Sequence, residues 1–562
     1  MTFPRAPGPI RLPEFSEESL MIRLVSFREW TRGIPLRLGL IGSMAGLLLA
    51  SLLAGCMIGP DYKTPPASIA TKWEDASNPA VDTSRLEYAD WWSVFNDPVL
   101  TRLVGIAYAQ NLTLRTAGVR VLQARAQLGV AIGELYPQQQ YVNGALSYNR
   151  LPSSLPYNLI NNVYGSDSFG AQAGWEIDLW GKLRRAIQSA DDAFLSSVAN
   201  YDDVLVTLTG DVASTYVEIR TSQTQLHIAQ ENIVREKKSV QIAKAKHAGG
   251  VVTGRDVYQA ENVLGSTEAT IPQLDLQLQT QKNALSVLLG MAPGAVDGLL
   301  GGATGIPTAP LKIAAGVPGD LMARRPDIRQ AELDAAAQCA QIGFTKADLL
   351  PVLTLMGSVG TVSSTIGNSA LGDVFTSASV VYSVGPSFQW NLLNYGQITN
   401  NVRVQDAKFQ ELLINFQNVV LKAQQEVADG ITAFIQARQA VIYLTASVKA
   451  AEGALRIALI QYQEGILDFT TVLTAEQNLY QAQNNLAIWS GQVPLGLIAA
   501  YRAMGGGWQI RAGHNFIPAE TVHEMEDRTN WGTLLTPELT RPRAPGLPST
   551  QDTGPLVRPP EF

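Results

Sequence analysis

The sequence predicts an α+β membrane protein in which bilayer-crossing strands continue into helices much longer than a bilayer is thick. Three observations predict it. Residues 168–179 and 380–392 alternate apolar with small or polar side chains. Each stretch is followed by roughly 60 residues of helical period. The whole arrangement occurs twice along the chain.

Composition narrows the class. Apolar residues make up 46% of the 562 and charged residues only 16%, with 48 Gly and 30 Pro. A net charge of −7 without a basic cluster argues against a nucleic-acid partner. The two cysteines, Cys56 and Cys339, form no disulfide framework.

Residues 1–55 read as a signal peptide. Arg23, Arg28, Arg32 and Arg37 precede an uncharged apolar run from Leu38 to Leu53, too short to span a bilayer comfortably and placed where a signal's apolar region sits. The stretch before Met21 resembles neither signal nor domain, which leaves Met21 as an alternative start. Leu53-Ala54-Gly55-Cys56 resembles a bacterial lipoprotein cleavage box, with Cys56 taking a covalent lipid. Met57, where retained lipoproteins carry Asp, resembles the sorting pattern for release to the outer membrane. Residues 56–100 form the expected lipidated tether, rich in Pro, Ala, Thr and Ser up to residue 82 and closed by Trp91, Trp92, Phe95 and Asp97-Pro98.

Two similar halves follow, 101–300 and 325–508, separated by a linker at 301–324. Ala117 aligns with Ala331, Ala126-Gln127 with Ala340-Gln341, Gly129 with Gly343 and Pro137 with Pro351. After a single insertion, Trp175 aligns with Trp390, Gly181 with Gly396, Gly250 with Gly465 and Ala260-Glu261 with Ala475-Glu476.

Each half holds two expected strands, 140–149 and 168–179 in the first, 352–361 and 380–392 in the second, joined by polar loops. Phe169, Ala171, Ala173, Trp175 and Ile177 alternate with Gly170, Gln172, Gly174 and Glu176, as do Tyr382, Val384, Pro386 and Phe388 with Ser383, Gly385 and Ser387. Lipid on one face and water on the other accounts for this pattern. A soluble sandwich alternates in the same way. Four strands cannot close a barrel, and open edges are not tolerated in hydrocarbon, so bilayer-spanning strands require several chains to share one barrel.

The helices decide between these readings. From Arg184 to about Lys246 there is no proline, and Leu205, Leu208, Val212, Ile219, Leu226 and Ile233 recur largely in sevens. Such a helix is about 90 Å long, roughly three times a bilayer core. A second runs from Ile398 to Tyr462 with Phe409, Phe416, Val420, Ala423 and Val427 on one stripe. Shorter helices follow Gly250 and Gly465. A sandwich has no use for such lengths, whereas a barrel reaching another compartment does. The C-terminal residues 509–562, with Pro542, Pro545, Pro548, Pro555 and Pro559-Pro560 and no regular period, are expected to be a flexible tail.

The motifs carry a resemblance. Gly59-Pro60-Asp61-Tyr62, Trp91-Trp92, Trp180-Gly181-Lys182, Arg324-Arg325-Pro326-Asp327-Ile328, Ile342-Gly343 and Tyr501 to Trp508 resemble the outer-membrane factor family, the TolC-like and NodT-type efflux lipoproteins. The resemblance covers roughly Cys56 to Trp508. It implies a homotrimer, a shared 12-stranded transmembrane β-barrel continuous with a long periplasmic α-helical barrel, and two structural repeats per chain. It also implies outer-membrane lipid around the barrel, a periplasmic adaptor (membrane fusion) protein and an inner-membrane pump of RND or ABC type.

Candidate site residues lie at two levels. At the junction of strand and helix stand Glu176, Asp178, Trp180, Gly181 and Gly396. Glu176 and Asp178 face the lumen if their apolar neighbours face lipid, or else pair with Lys182 or Arg184; both readings stand. At the far ends of the long helices, Gly250 and Gly465 mark turns, and a periplasmic gate is expected there. Relatives commonly carry a carboxylate nine residues after the second turn glycine, where this chain has Thr474, with Thr471 at the sixth position. Asp468 is then the nearest acid, with Asp256 near the other turn. Asp468 either contributes charge to the gate or caps the helix that follows.

Nothing in the sequence reads as an enzyme. His227, His247, His514 and His523 lack metal-ligand spacing, and no glycine loop cradles phosphate. The expected function is a passive gated conduit for solute export; the other reading is a non-conducting envelope lipoprotein whose coiled coils act as a scaffold.

Overall fold

The structure, a computed structural model, describes residues 57–82, 89–152, 163–301, 305–366 and 370–535. The expected signal peptide, Cys56 and residues 536–562 lie outside the described residues.

Helix α1 (Pro98–Gln110) begins where Asp97 accepts hydrogen bonds from the backbone N–H groups of Val99 and Leu100, with Pro98 at the position where no N–H is missed. Asn111 ends α1 and caps α2 (Leu112–Gly133) by accepting from Leu114 N–H at 2.8 Å. Then come β1 (Gln139–Arg150), β2 (Val163–Ile177), α3 (Lys182–Ala248), α4 (Gly254–Glu268) and α5 (Thr270–Leu288). The second half runs α6 (Pro326–Ala347), β3 (Val352–Ser364), β4 (Val380–Gln389), α7 (Gln397–Gln463) and α8 (Phe469–Ala503). Helices α3 and α7 have 67 residues each, about 100 Å at 1.5 Å per residue. Helices α2 and α6 have 22 each.

The strands form one antiparallel meander in the order β1-β2-β3-β4. Strand β2 starts earlier than residue 168, because Val163 to Asp167 continue the ladder with Arg150 to Leu146. Strand β4 stops at Gln389 rather than 392: its partner there is Val352, the first residue of β3, and Trp390 to Leu392 have nothing to pair with on that side.

The main core lies along the middle of the long helices. Trp91 is fully buried and stacks on Tyr501 at 5.9 Å, while the Tyr216 hydroxyl donates to Asp97 at 2.7 Å. Leu205, Val212, Phe416, Phe434 and Ile498 fill the space between α3, α7 and α8. A two-residue parallel pairing of Val81–Asp82 with Ile313–Ala314 stitches the N-terminal strap to the stretch between the halves.

That strap, residues 57–82, is extended over 60–70, folds into successive turns from Trp73 to Val81, and is docked throughout. Arg185 donates to Asp61 at 2.8 Å, Thr64 to Glu332 at 2.7 Å, and Thr432 to Asp75 at 2.8 Å. The expected flexible tail needs a correction over 509–535. Trp508–Arg511 form a helical turn, and α9 (Ala519–Arg528) packs Met525, with Ile517 and Leu535, against Leu122 of α2. Phe516 meets Tyr201 edge-on at 5.0 Å, and Arg511 is buried in an ion pair with Asp202. These apolar residues follow no period, yet they satisfy a groove in the helical core.

Candidate functional site

Strand register sorts the side chains onto two faces. Opposite residues in an antiparallel ladder share a face. Pairings Val142↔Ala171, Ala171↔Val359 and Val359↔Tyr382 therefore place Val142, Leu146, Phe169, Ala171, Trp175, Leu355, Val359, Tyr382, Val384 and Phe388 together. The other face carries Asn143, Ser147, Ser168, Gln172, Glu176, Thr354, Ser358, Ser383 and Ser387, interspersed with Tyr141, Met356, Val362 and Val381. The apolar face is open: Leu146 is 76% exposed, Tyr382 79% and Phe388 76%. Within the described residues the outer edges of β1 and β4 pair with no strand.

At the junction the two indoles behave alike. Trp175 Nε1 donates to Leu135 O at 3.1 Å and Trp390 Nε1 to Leu349 O at 3.0 Å, so each tethers a strand end to the link behind the preceding helix. Trp180 Nε1 donates to Pro351 O at 2.7 Å. Glu176 lies on the polar face. Asp178 lies beyond the strand and belongs to α3: its carboxylate accepts from the N–H groups of Leu183 and Arg184, both at 3.1 Å, and from the Arg184 side chain at 3.0 Å. A carboxylate there satisfies otherwise orphaned donors at the positive end of the helix. Lys182 pairs instead with Asp348 at 2.7 Å. Gly181 and Gly396 precede α3 and α7 with φ of 74° and 83°.

The far ends of the long helices close in one geometry. Gly250 has φ +73° and Gly465 +76°. Gly250 N–H donates to His247 O and Val251 N–H to Lys246 O; Gly465 N–H donates to Tyr462 O and Ile466 N–H to Gln461 O. This paired reverse bonding needs a left-handed residue, which glycine adopts without strain. Asp468, Thr471 and Thr474 are exposed along one side of the start of α8. The Asp468 side chain makes no capping bond; Thr471 N–H is taken by the Asp468 backbone carbonyl instead. Asp256 lies differently, its side chain 13% exposed beside Arg255 at 3.6 Å.

Sequence reasoning missed a polar cluster in the seam above these turns. Glu236 on α3 and Glu476 on α8 are 3% and 4% exposed within an apolar packing of Val240, Ala243, Ala260, Val263, Val472 and Leu479. Heptad reading passes over a single Glu, and the alignment of Glu261 with Glu476 was the one available signal.

A profile of the family described as "Outer membrane efflux protein" matches residues 103–291 and 317–506, the two stretches that hold the helices and strands described above. The chain is 28% identical over 438 residues to Nodulation protein T of Rhizobium leguminosarum bv. trifolii, spanning 78% of this chain and 91% of that protein. It is 30% identical over 431 residues to the pyoverdine export outer membrane protein OpmQ of Pseudomonas putida, spanning 75% and 88%. Among solved structures, the outer-membrane channel OprN superposes with a TM-score of 0.75 at 30% identity, over 81% of this chain and 100% of that one. The open state of the Neisseria gonorrhoeae MtrE outer membrane channel gives 0.70 at 26% identity, over 81% and 99%. A two-faced sheet feeding 67-residue helices, matched by one family profile in both halves, makes this chain a member of the outer membrane efflux protein family, of the TolC-like and NodT-type group.

Proposed function

We propose that three copies of the chain close one 12-stranded barrel in the outer membrane, continue it as a periplasmic helical barrel, and conduct solute outward. The observation that carries this is the sheet itself, apolar on one face, mainly polar on the other, with the outer edges of β1 and β4 unpaired among the described residues. Hydrocarbon tolerates no open edge, and a β1 edge from one copy is suited to a β4 edge from the next. The equal lengths of α2 and α6 and of α3 and α7, with matching turns, support two structural repeats per chain.

The chain is the outer-membrane channel component of an efflux system and has a transport role, not a catalytic one. Its driving force comes from an inner-membrane pump of RND or ABC type, joined through a periplasmic adaptor protein. A lipid on Cys56 adds apolar anchoring of about 0.8 kcal/mol per buried methylene to a barrel already held by its strands. Three Asp468 carboxylates, with Thr471 and Thr474 beyond them, form the gate's polar ring. Asp256, held beside Arg255, is the weaker gate residue.

Single-channel recording of the purified protein in planar bilayers, with its mass in detergent, tests the reading. Stepwise conductance from a trimer is expected. A stable protein that never conducts would favour the non-conducting scaffold.

A further inference from the structure

The helical seam above the turns contains two buried carboxyl groups that the conduit does not use. Thr267 of α4 donates to Glu236 Oε1 at 2.9 Å, and Ser239 of α3 donates to Glu476 Oε1 at 2.5 Å. The second oxygen of each carboxyl, Oε2, is buried without a hydrogen-bond partner. Leaving such an oxygen dry is costly when it is charged and much less so when it carries a proton.

Neighbouring charges do not neutralise the pair. The charge of Arg235 on α3 acts on both, but its Nε is buried without a partner and its Nη2 donates to Gln483 at 3.2 Å. On α4, Glu268 pairs with Lys237 at 3.1 Å and Glu261 with Lys244 at 2.7 Å. On α8, the Tyr480 hydroxyl bonds Thr270 at 3.2 Å. Asp275 of α5 and Lys449, Glu452 and Arg456 of α7 are exposed.

We propose that Glu236 and Glu476 form a protonation latch: with both carboxyls neutral the seam between α3, α4 and α8 is shut, and their ionisation loosens it and frees the turns at Gly250 and Gly465. This rests on the conduit reading, because the latch governs that conduit's mouth. Burial first, and then Glu476, push Glu236 up to about 7, with Thr267 and Arg235 opposing. Burial likewise raises Glu476, with Ser239 and Arg235 opposing. A carboxyl raised in the packed state favours packing fully below its ordinary value and progressively less as pH rises through the raised one. For Glu236 the packed form therefore loses about two orders of magnitude in its favour as pH rises from about 4.5 to about 7.

The test uses the full chain. Bilayer conductance is recorded from pH 5 to 7.5 for the wild type, Glu236→Gln, Glu476→Gln and the double variant. Amide hydrogen exchange of 232–243 and 470–480 is followed over the same range, corrected for the intrinsic pH dependence. The wild type is expected to conduct more and lose protection in these segments as pH rises. The double variant, permanently neutral, is expected to stay protected and flat. A pH profile shared by the wild type and the double variant overturns the latch while conductance upholds the conduit. If nothing conducts at any pH, the conduit reading fails instead, and exchange alone decides the latch: protection lost in the wild type but not in the double variant supports it, and equal loss in both overturns it.

Discussion

Gly59 and Gly343 meet backbone to backbone. A Cβ on Gly59 would stand 2.4 Å from Gly343 Cα, and one on Gly343 would stand 2.5 Å from Ile58 O. Arg185, 2% exposed, clasps the joint by donating to Ile58 O at 3.2 Å and to Asp61 at 2.8 Å. Gly343→Ala is therefore expected to lift the strap from α6, costing about 1–3 kcal/mol and opening Lys63 and Lys72 to trypsin. Gly129, which aligns with Gly343 but has nothing within 4 Å of its Cβ position, supplies the control. Equal cleavage of the two alanine variants would show that the contact does not hold the strap.

Asp178→Ala removes the acceptor for two backbone N–H groups and Arg184 at the start of α3. A loss of about 1–2 kcal/mol in denaturation is expected, as for other lost helix caps. Glu176→Gln, on the polar strand face, should be close to neutral. If Asp178→Ala unfolds at the wild-type denaturant midpoint, the capping account is wrong.

Phe516→Ala should destabilise the helical region by about 3–5 kcal/mol, since a buried ring is replaced by a cavity. Phe516 is 6% exposed and lies under Tyr201 and Arg511. Deleting 515–562 should lower the melting temperature at least as much. An unchanged melting curve after the deletion would restore the reading of residues 515–535 as a dispensable tail.

Asp468→Asn tests the gate ring. The side chain makes no capping bond, so helix stability should not change, while on the proposed ring of Asp468 carboxylates cation preference in bilayer recordings should fall. Unchanged reversal potentials under a salt gradient would remove Asp468 from the selectivity path.

The legible parts of the fold were those with a period. Alternation from Phe169 to Ile177 and from Tyr382 to Phe388 set the two faces of the sheet, because each strand repeats every two residues whatever its neighbours are. The helical period after Gly181 predicts a helix from Arg184 to about Lys246, and α3 runs from Lys182 to Ala248. Residues without a period were not legible. Phe516, Ile517, Met525 and Leu535 are spaced irregularly, and their burial depends on surfaces built much earlier in the chain, Leu122 of α2 for Ile517, Met525 and Leu535 and Tyr201 of α3 for Phe516. Glu236 and Glu476 read as ordinary polar positions, since only their surroundings make them unusual. Alternation alone leaves Asp178 between lumen and ion pair; the end of β2 at Ile177 is what assigns it to the start of α3.

The middle of the sheet imposes an order on folding. Strands β1 and β2 are joined by a short local connection, as are β3 and β4, but β2 meets β3 through pairs such as Ser166↔Ser364 and Ile177↔Leu353, with both long α3 and the whole of α4 to α6 in between. Closing so large a loop before any ladder bond forms is slow, and the rate falls as contacts become less local. The helical hairpins, whose contacts are nearer in sequence, are thus expected to consolidate first and bring the two strand pairs within reach. The β2–β3 seam, the one non-local pairing in the sheet, is therefore expected to be the slow step in completing the four-stranded sheet within one chain.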